Sequence, residues 1–80
     1  MNREEILDLY GQDEEILFAD GLDGAIIGVD HNIRVVYDID AIIKILIDRD
    51  GMTDEEALEF AEFNIFGAYV GEKTPIYVYT

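Results

Sequence analysis

The sequence predicts an α+β domain: a small antiparallel sheet of about three strands, two consecutive helices packed on one of its faces, and a short N-terminal helix. Three observations carry this. Two segments rich in β-branched residues flank a polar turn at His31-Asn32. Two apolar stripes of helical period follow, separated by Gly51 and the capping sequence Thr53-Asp54-Glu55-Glu56. A last apolar run, Pro75-Ile76-Tyr77-Val78-Tyr79, alternates like a strand. Residues 1–80 read as a single small acidic domain, with no internal repeat, low-complexity tract or linker.

Each element has a local reason. Asn2 can cap a helix through Ile6, Leu7, Leu9 and Tyr10, with Glu4 and Glu5 at its positive end and Gly11 as its stop. Residues 13–20 fit a helical turn or a short strand equally, because periodicity cannot decide over four apolar residues. Asp20-Gly21-Leu22-Asp23-Gly24 has loop chemistry. Residues 25–30 read as a strand with Ala25, Ile27 and Val29 on one face, and Gly28 opposite, where a neighbour could approach closely. Asn32 tolerates positive φ in the turn, and Ile33, Val35 and Tyr37 share a face of the partner strand. Asp38 or Asp40 caps the next helix, whose apolar face is Ile42, Ile43, Leu46 and Ile47. Thr53 and Glu56 form a capping box for a helix with the stripe Ala57, Leu58, Ala61 and Ile65, ending near Gly67. Pro75 marks strand entry or an edge.

The composition narrows function. There are 19 acidic residues against 5 basic ones, a formal charge of −14. Such a chain repels nucleic-acid phosphates and anionic membranes, so direct binding to either is excluded. Half the residues are apolar, which separates it from disordered acidic chains. With no Cys, no Ser and one His, disulfides, thiolate metal sites and hydrolytic triads are excluded. No cofactor is expected. Met1 leads into acidic residues rather than a basic signal-peptide start, and the longest strongly apolar run is Ile42–Ile47. A cytoplasmic setting follows as an expectation.

Four candidate sites arise. The segment from Asp48 resembles an EF-hand loop, but Met52 and Thr53 stand where a ligand and a turn-forming Gly are needed; a helix stop and a capping box account for it. Asp20, Asp23, Asp38 and Asp40 are weak candidates for Mg²⁺ or nucleotide binding, in a chain short enough to leave little room for a pocket of ~300 Å³. Glu55, Glu59 and Glu62 fall at i, i+4 and i+7 of a helix with no Lys or Arg. Like charges at that spacing cost a few tenths of a kcal/mol per pair. The stripe therefore suggests a binding role beside its solubilising one, since carboxylates ~6 Å apart along the axis can engage a basic groove. Tyr69, Tyr77 and Tyr79 are candidate interface residues, with Tyr77 and Tyr79 on one strand face.

Four sequence blocks together resemble a group of small acidic proteins encoded by phages and prophages. They are Asp20-Gly21-Leu22-Asp23 with Ala25-Ile26-Ile27-Gly28; Val36-Tyr37-Asp38; Asp50-Gly51-Met52-Thr53 with Glu55-Glu56-Ala57; and Phe63-Asn64 with Gly67-Ala68-Tyr69-Val70-Gly71-Glu72 and Thr74-Pro75. The resemblance spans roughly residues 18–78. It implies a phage-type source and the cytoplasm of an infected cell, and gives weight to residues 64–75. It carries over no catalytic role.

The leading expectation is an acidic interaction module that binds a basic or nucleic-acid-binding host or phage protein, as a DNA-mimic inhibitor. Two alternatives stand beside it: a small Mg²⁺- or nucleotide-binding protein or minimal enzyme using the Asp residues, and a homodimer formed through the Tyr-bearing strand. Glu4, Asp38, Asp40, Asp54 and Glu56 sit at predicted helix starts, where a carboxylate is locally favourable. The charge left to explain lies in the Glu stripe and around Asp20–Asp30.

Overall fold

A computed structural model describes all 80 residues. Helix α1 spans Arg3–Tyr10, and the Asn2 side chain caps it by accepting from the Glu5 N–H at 2.9 Å. Its single buried residue is Ile6. Arg3 fastens the helix to the chain beyond it. The guanidinium pairs with Asp23 at 3.0 Å and lies 4.5 Å from the centre of the Phe18 ring. Residues 13–20 form neither helix nor strand. They have no ladder partner; instead Ile16, Phe18 and Ala19 pack half-buried against the core, and the Ala19 N–H donates to the Tyr37 hydroxyl.

The sheet contains β1 (Ile26–Val29), β2 (Val35–Asp38) and β3 (Ile76–Val78), in the order β1-β2-β3. A 3₁₀ turn at Asp23–Ala25 leads into β1. The expected face of Ala25, Ile27 and Val29 does not form. A bulge between Ile26 and Gly28 sets an extra residue against β2, so Ala25 and Ile26 are buried while Ile27 is 47% exposed. Gly28 admits no close neighbour, since a Cβ there would meet no atom within 4 Å. In β2, Val35 and Tyr37 are fully buried as expected. Ile33 is not on their face: it sits in the turn with φ +61°, and Ile33 rather than Asn32 takes the left-handed position. Asp30 organises that turn, its Oδ1 accepting from the Asn32 and Arg34 N–H groups at 2.9 Å each.

The third strand corrects the expectation of a wholly antiparallel sheet. β1 and β2 are antiparallel, but β3 runs parallel to β2, with Val36 opposite Ile76 and Asp38 opposite Val78. The connection is long enough to permit this. Helices α2 (Ile39–Asp50) and α3 (Asp54–Ala61) and residues 62–75 intervene between the two strands, and a parallel pair needs a crossover of a dozen or more residues.

Helix α2 follows β2 without a loop. Asp38 holds the N-cap position but makes no side-chain cap bond; its carboxylate accepts from the Thr80 hydroxyl at 3.2 Å. Ile39, Ile42 and Leu46 are buried, with Ile43 and Ile47 packed at the edge of the core. Gly51 ends the helix at φ +71°, its N–H reaching Ile47 O. The capping box at α3 is complete: the Thr53 N–H donates to Glu56 Oε1 at 2.9 Å, and the Glu56 N–H to Thr53 Oγ1 at 3.2 Å. Ala57 and Ala61 are fully buried, and their small side chains let α3 lie close on α2. Leu58, expected in the buried stripe, is 40% exposed. The helix continues as a π turn, Glu62–Phe66, that brings Phe66 against Tyr77. Ten buried residues, from Ile6 to Ala61, form one core linking α1, the sheet and both later helices. Full burial of a large apolar side chain contributes about 1.5–3 kcal/mol, so Tyr37, Ile6, Ile42, Leu46 and Val35 are its principal supports. No helix is long and apolar enough to cross a membrane.

Candidate functional site

Because α3 turns Ala57 and Ala61 inward, its remaining faces meet solvent. Glu55, Glu59 and Glu62 are all exposed, and none of their carboxylates takes part in a hydrogen bond or ion pair. Glu62 stands at the junction with the π turn and retains helical φ and ψ of −62° and −42°, so the stripe continues across the junction. The protein's ion pairs lie elsewhere, at Arg3–Asp23, Arg49–Asp50 and Lys73–Glu14. The π turn also re-aims the residues after Ala61. Phe63 is 80% exposed, and the Asn64 side-chain N–H donates to Phe60 O at 3.0 Å.

The three candidate tyrosines separate. Tyr69 and Tyr79 are well exposed. Tyr77 turns inward: its ring stacks on Tyr37 with centroids 5.7 Å apart and planes at 27°, and Phe66 lies 5.2 Å away. Burial pushes both the Tyr37 and Tyr77 phenols upward. Tyr79 lies beyond the last residue of β3, so it does not form a surface pair with Tyr77.

The aspartates do not gather. Asp23 is engaged by Arg3, Asp38 by Thr80, Asp20 is exposed, and Asp40 lies exposed in the first turn of α2. No three of the Asp, Glu and His side chains converge to hold a metal ion. Asp30 holds the turn together, and the two N–H donors keep its carboxyl below the usual range. In the segment resembling an EF-hand, Asp50 is held low by the Arg49 fork, with bonds of 3.0 Å from Nε and Nη2.

The chain does, however, make room for a cavity, against the expectation from its length. A hollow of about 360 Å³ opens between the chain near Phe18, the end of α2, the π turn and the segment before β3. Leu22, Leu46, Ile65, Val70, Pro75 and Tyr77 contribute apolar walls. Phe60 and Asn64 form one side and are shared with a shallower depression over Met52 and Phe63, edged by Glu56 and Glu59. Asp20, Arg49 and Asp50 stand at the polar side of the cavity. Arg49 is engaged by Asp50 and also donates to Gly21 O at 2.6 Å. Gly21 suits that place because its φ is +77°, a conformation that side chains with a Cβ rarely adopt.

Thr74 holds the far wall. It is nearly buried, its Oγ1 donating to Gly71 O at 2.6 Å and accepting from the Val70 N–H at 2.9 Å. This fastens the segment that the resemblance marked out. Phe60, Phe63, Asn64 and Val70 were not singled out as site residues by sequence reasoning. The available signal was an aromatic pair at i and i+3, off the Ala57–Ala61 face of an otherwise acidic helix. No family model, curated protein or solved structure matches the chain.

Proposed function

We propose that the protein is an acidic interaction module that binds a basic, nucleic-acid-binding protein and competes with nucleic acid for it. The observation that carries this reading is the α3 surface: Glu55, Glu59 and Glu62 stand exposed and unpaired on a helix with no basic residue, beside the exposed ring of Phe63. A purely solubilising face would intersperse Lys among the carboxylates and would not expose an aromatic ring among them. A phage-type source would place the protein in the cytoplasm of an infected cell, where inhibition of a host nuclease or defence protein is a natural use.

The test is titration of the protein against basic DNA-binding proteins over a range of salt, with and without duplex DNA. Affinity is expected to fall steeply with salt and DNA to displace the protein. The triple variant Glu55→Lys, Glu59→Lys, Glu62→Lys is expected to abolish binding while remaining folded. Binding that added DNA leaves unchanged defeats the mimicry.

A further inference from the structure

We infer that the partner docks through a basic segment carrying a large apolar side chain, which enters the cavity behind Phe60 while flanking Lys or Arg residues meet the acidic rim. This rests on the reading of the protein as an acidic interaction module and identifies what its surface selects.

Three features favour this occupant. The cavity is already open at about 360 Å³, within the range of small-ligand and side-chain pockets, and its walls are mainly apolar. Interfaces draw most of their binding energy from such anchors seated in pockets, with polar contacts at the rim. The unpaired charge around it is of one sign. Arg49 is the one cation lining the cavity, and Asp50 and Gly21 O engage it; Asp20 on one side and Glu59 beyond Phe60 make no ion pair, while the Glu56 carboxylate is held by the Thr53 N–H. A second copy of the chain would set this acidic rim against another, each copy carrying −14. A neutral apolar molecule would leave the rim carboxylates unanswered. A cationic segment with an apolar anchor satisfies both parts of the site.

The chain contains no Trp, so a Trp in a probe reports its own burial. The probe is a short synthetic Lys-rich peptide with one central Trp, compared with the same peptide bearing Ala at that position, oligolysine, and a version with every Lys replaced by Gln. The Trp peptide is expected to bind roughly tenfold or more tightly than the Ala peptide, with its emission shifted to the blue. Ala68→Phe, at an exposed position lining the cavity, is expected to remove that preference and the shift while leaving the salt dependence intact. Val70→Asp, at the exposed mouth, provides a second variant that leaves the core untouched. Glu59→Gln with Asp20→Asn is expected to flatten the salt dependence and preserve the shift.

If the Ala peptide or oligolysine binds as tightly as the Trp peptide, or both cavity variants leave affinity and emission unchanged, the anchor inference fails and the acidic module stands. Equal binding of the Gln version shows a neutral apolar occupant and overturns the inference. A dimer in light scattering that excludes the peptide does the same in favour of a second copy. If neither the peptides nor basic proteins bind, both readings fall.

Discussion

The Tyr37 hydroxyl accepts a hydrogen bond from the Ala19 backbone N–H at 2.8 Å, joining the middle of the sheet to a segment with no regular structure of its own. Tyr37 is fully buried, so its oxygen is supplied by the fold and not by solvent. Tyr37→Phe keeps the ring and its stacking on Tyr77 but leaves the Ala19 N–H without that partner. The net worth of such a bond is about 0.5–1.5 kcal/mol, and the half-buried position of Ala19 keeps the loss within that range. Denaturant unfolding should show a loss of that order with an unchanged slope, and amide exchange should quicken at Ala19. Since Phe18 and Ala19 line the cavity, the same variant should weaken capture of the Trp peptide.

The buried phenols predict how the fold fails in alkali. Burial disfavours the phenolate, so the folded values of Tyr37 and Tyr77 lie above those of the unfolded chain. Their contribution to stability is complete below about pH 10, the ordinary phenol value, and is lost as pH rises from there toward the raised folded values. Unfolding free energy measured across that range should fall with a slope that Tyr37→Phe reduces.

Much of the fold was legible because its punctuation is local. Asn2, Gly11, Gly51 and the Thr53–Glu56 capping box each specify a helix end through bonds within a few residues, and each stands where the sequence places it. What was hidden depends on distant partners. The bulge at Ile27 follows from the pairing of β1 with β2 and leaves no mark in the alternation of Ala25, Ile27 and Val29. The parallel direction of β3 is equally hidden, since two helices between successive strands allow either direction and the outcome depends on where residues 62–75 bring the chain. The candidate site divides the same way. The Glu stripe is a property of one helix and was visible. The cavity needs Phe18, Leu46, Ile65 and Val70 from separate segments to meet, which no local pattern encodes.

The turn between β1 and β2 stores strain that a substitution can relieve. Ile33 holds φ +61°, a left-handed conformation costly for a β-branched side chain, by roughly 1–2 kcal/mol. Asn tolerates that region far better. The turn's own bonds, from the Ile33 N–H to Asp30 O at 3.0 Å and from the Arg34 N–H to Asp30 Oδ1, survive the change. Ile33→Asn should therefore raise stability by about 1 kcal/mol, a share of that strain, read as a higher denaturation midpoint. Ile33→Val, which keeps the branching, should not. A loss in the Asn variant would show that the half-buried Ile side chain contributes more than the backbone strain costs.

Salt should act on the fold and on the complex with opposite signs. A charge of −14 on this small chain favours expansion, and the three ion pairs among its exposed or half-buried side chains offset little of it. The Debye length is about 10 Å at 0.1 M and about 3 Å at 1 M salt, so added NaCl screens repulsion between carboxylates that are not in contact. The melting temperature should rise steadily over that range. The triple variant Glu55→Gln, Glu59→Gln, Glu62→Gln removes like-charge contacts along α3 and lowers the total charge; it should melt higher at low salt and respond less to NaCl. In the same titration the wild-type protein should lose affinity for a basic partner, because there the screened interaction is attractive. A melting temperature that falls with salt would show that the ion pairs, and Arg3–Asp23 in particular, outweigh the repulsion, and Arg3→Ala would then abolish the dependence.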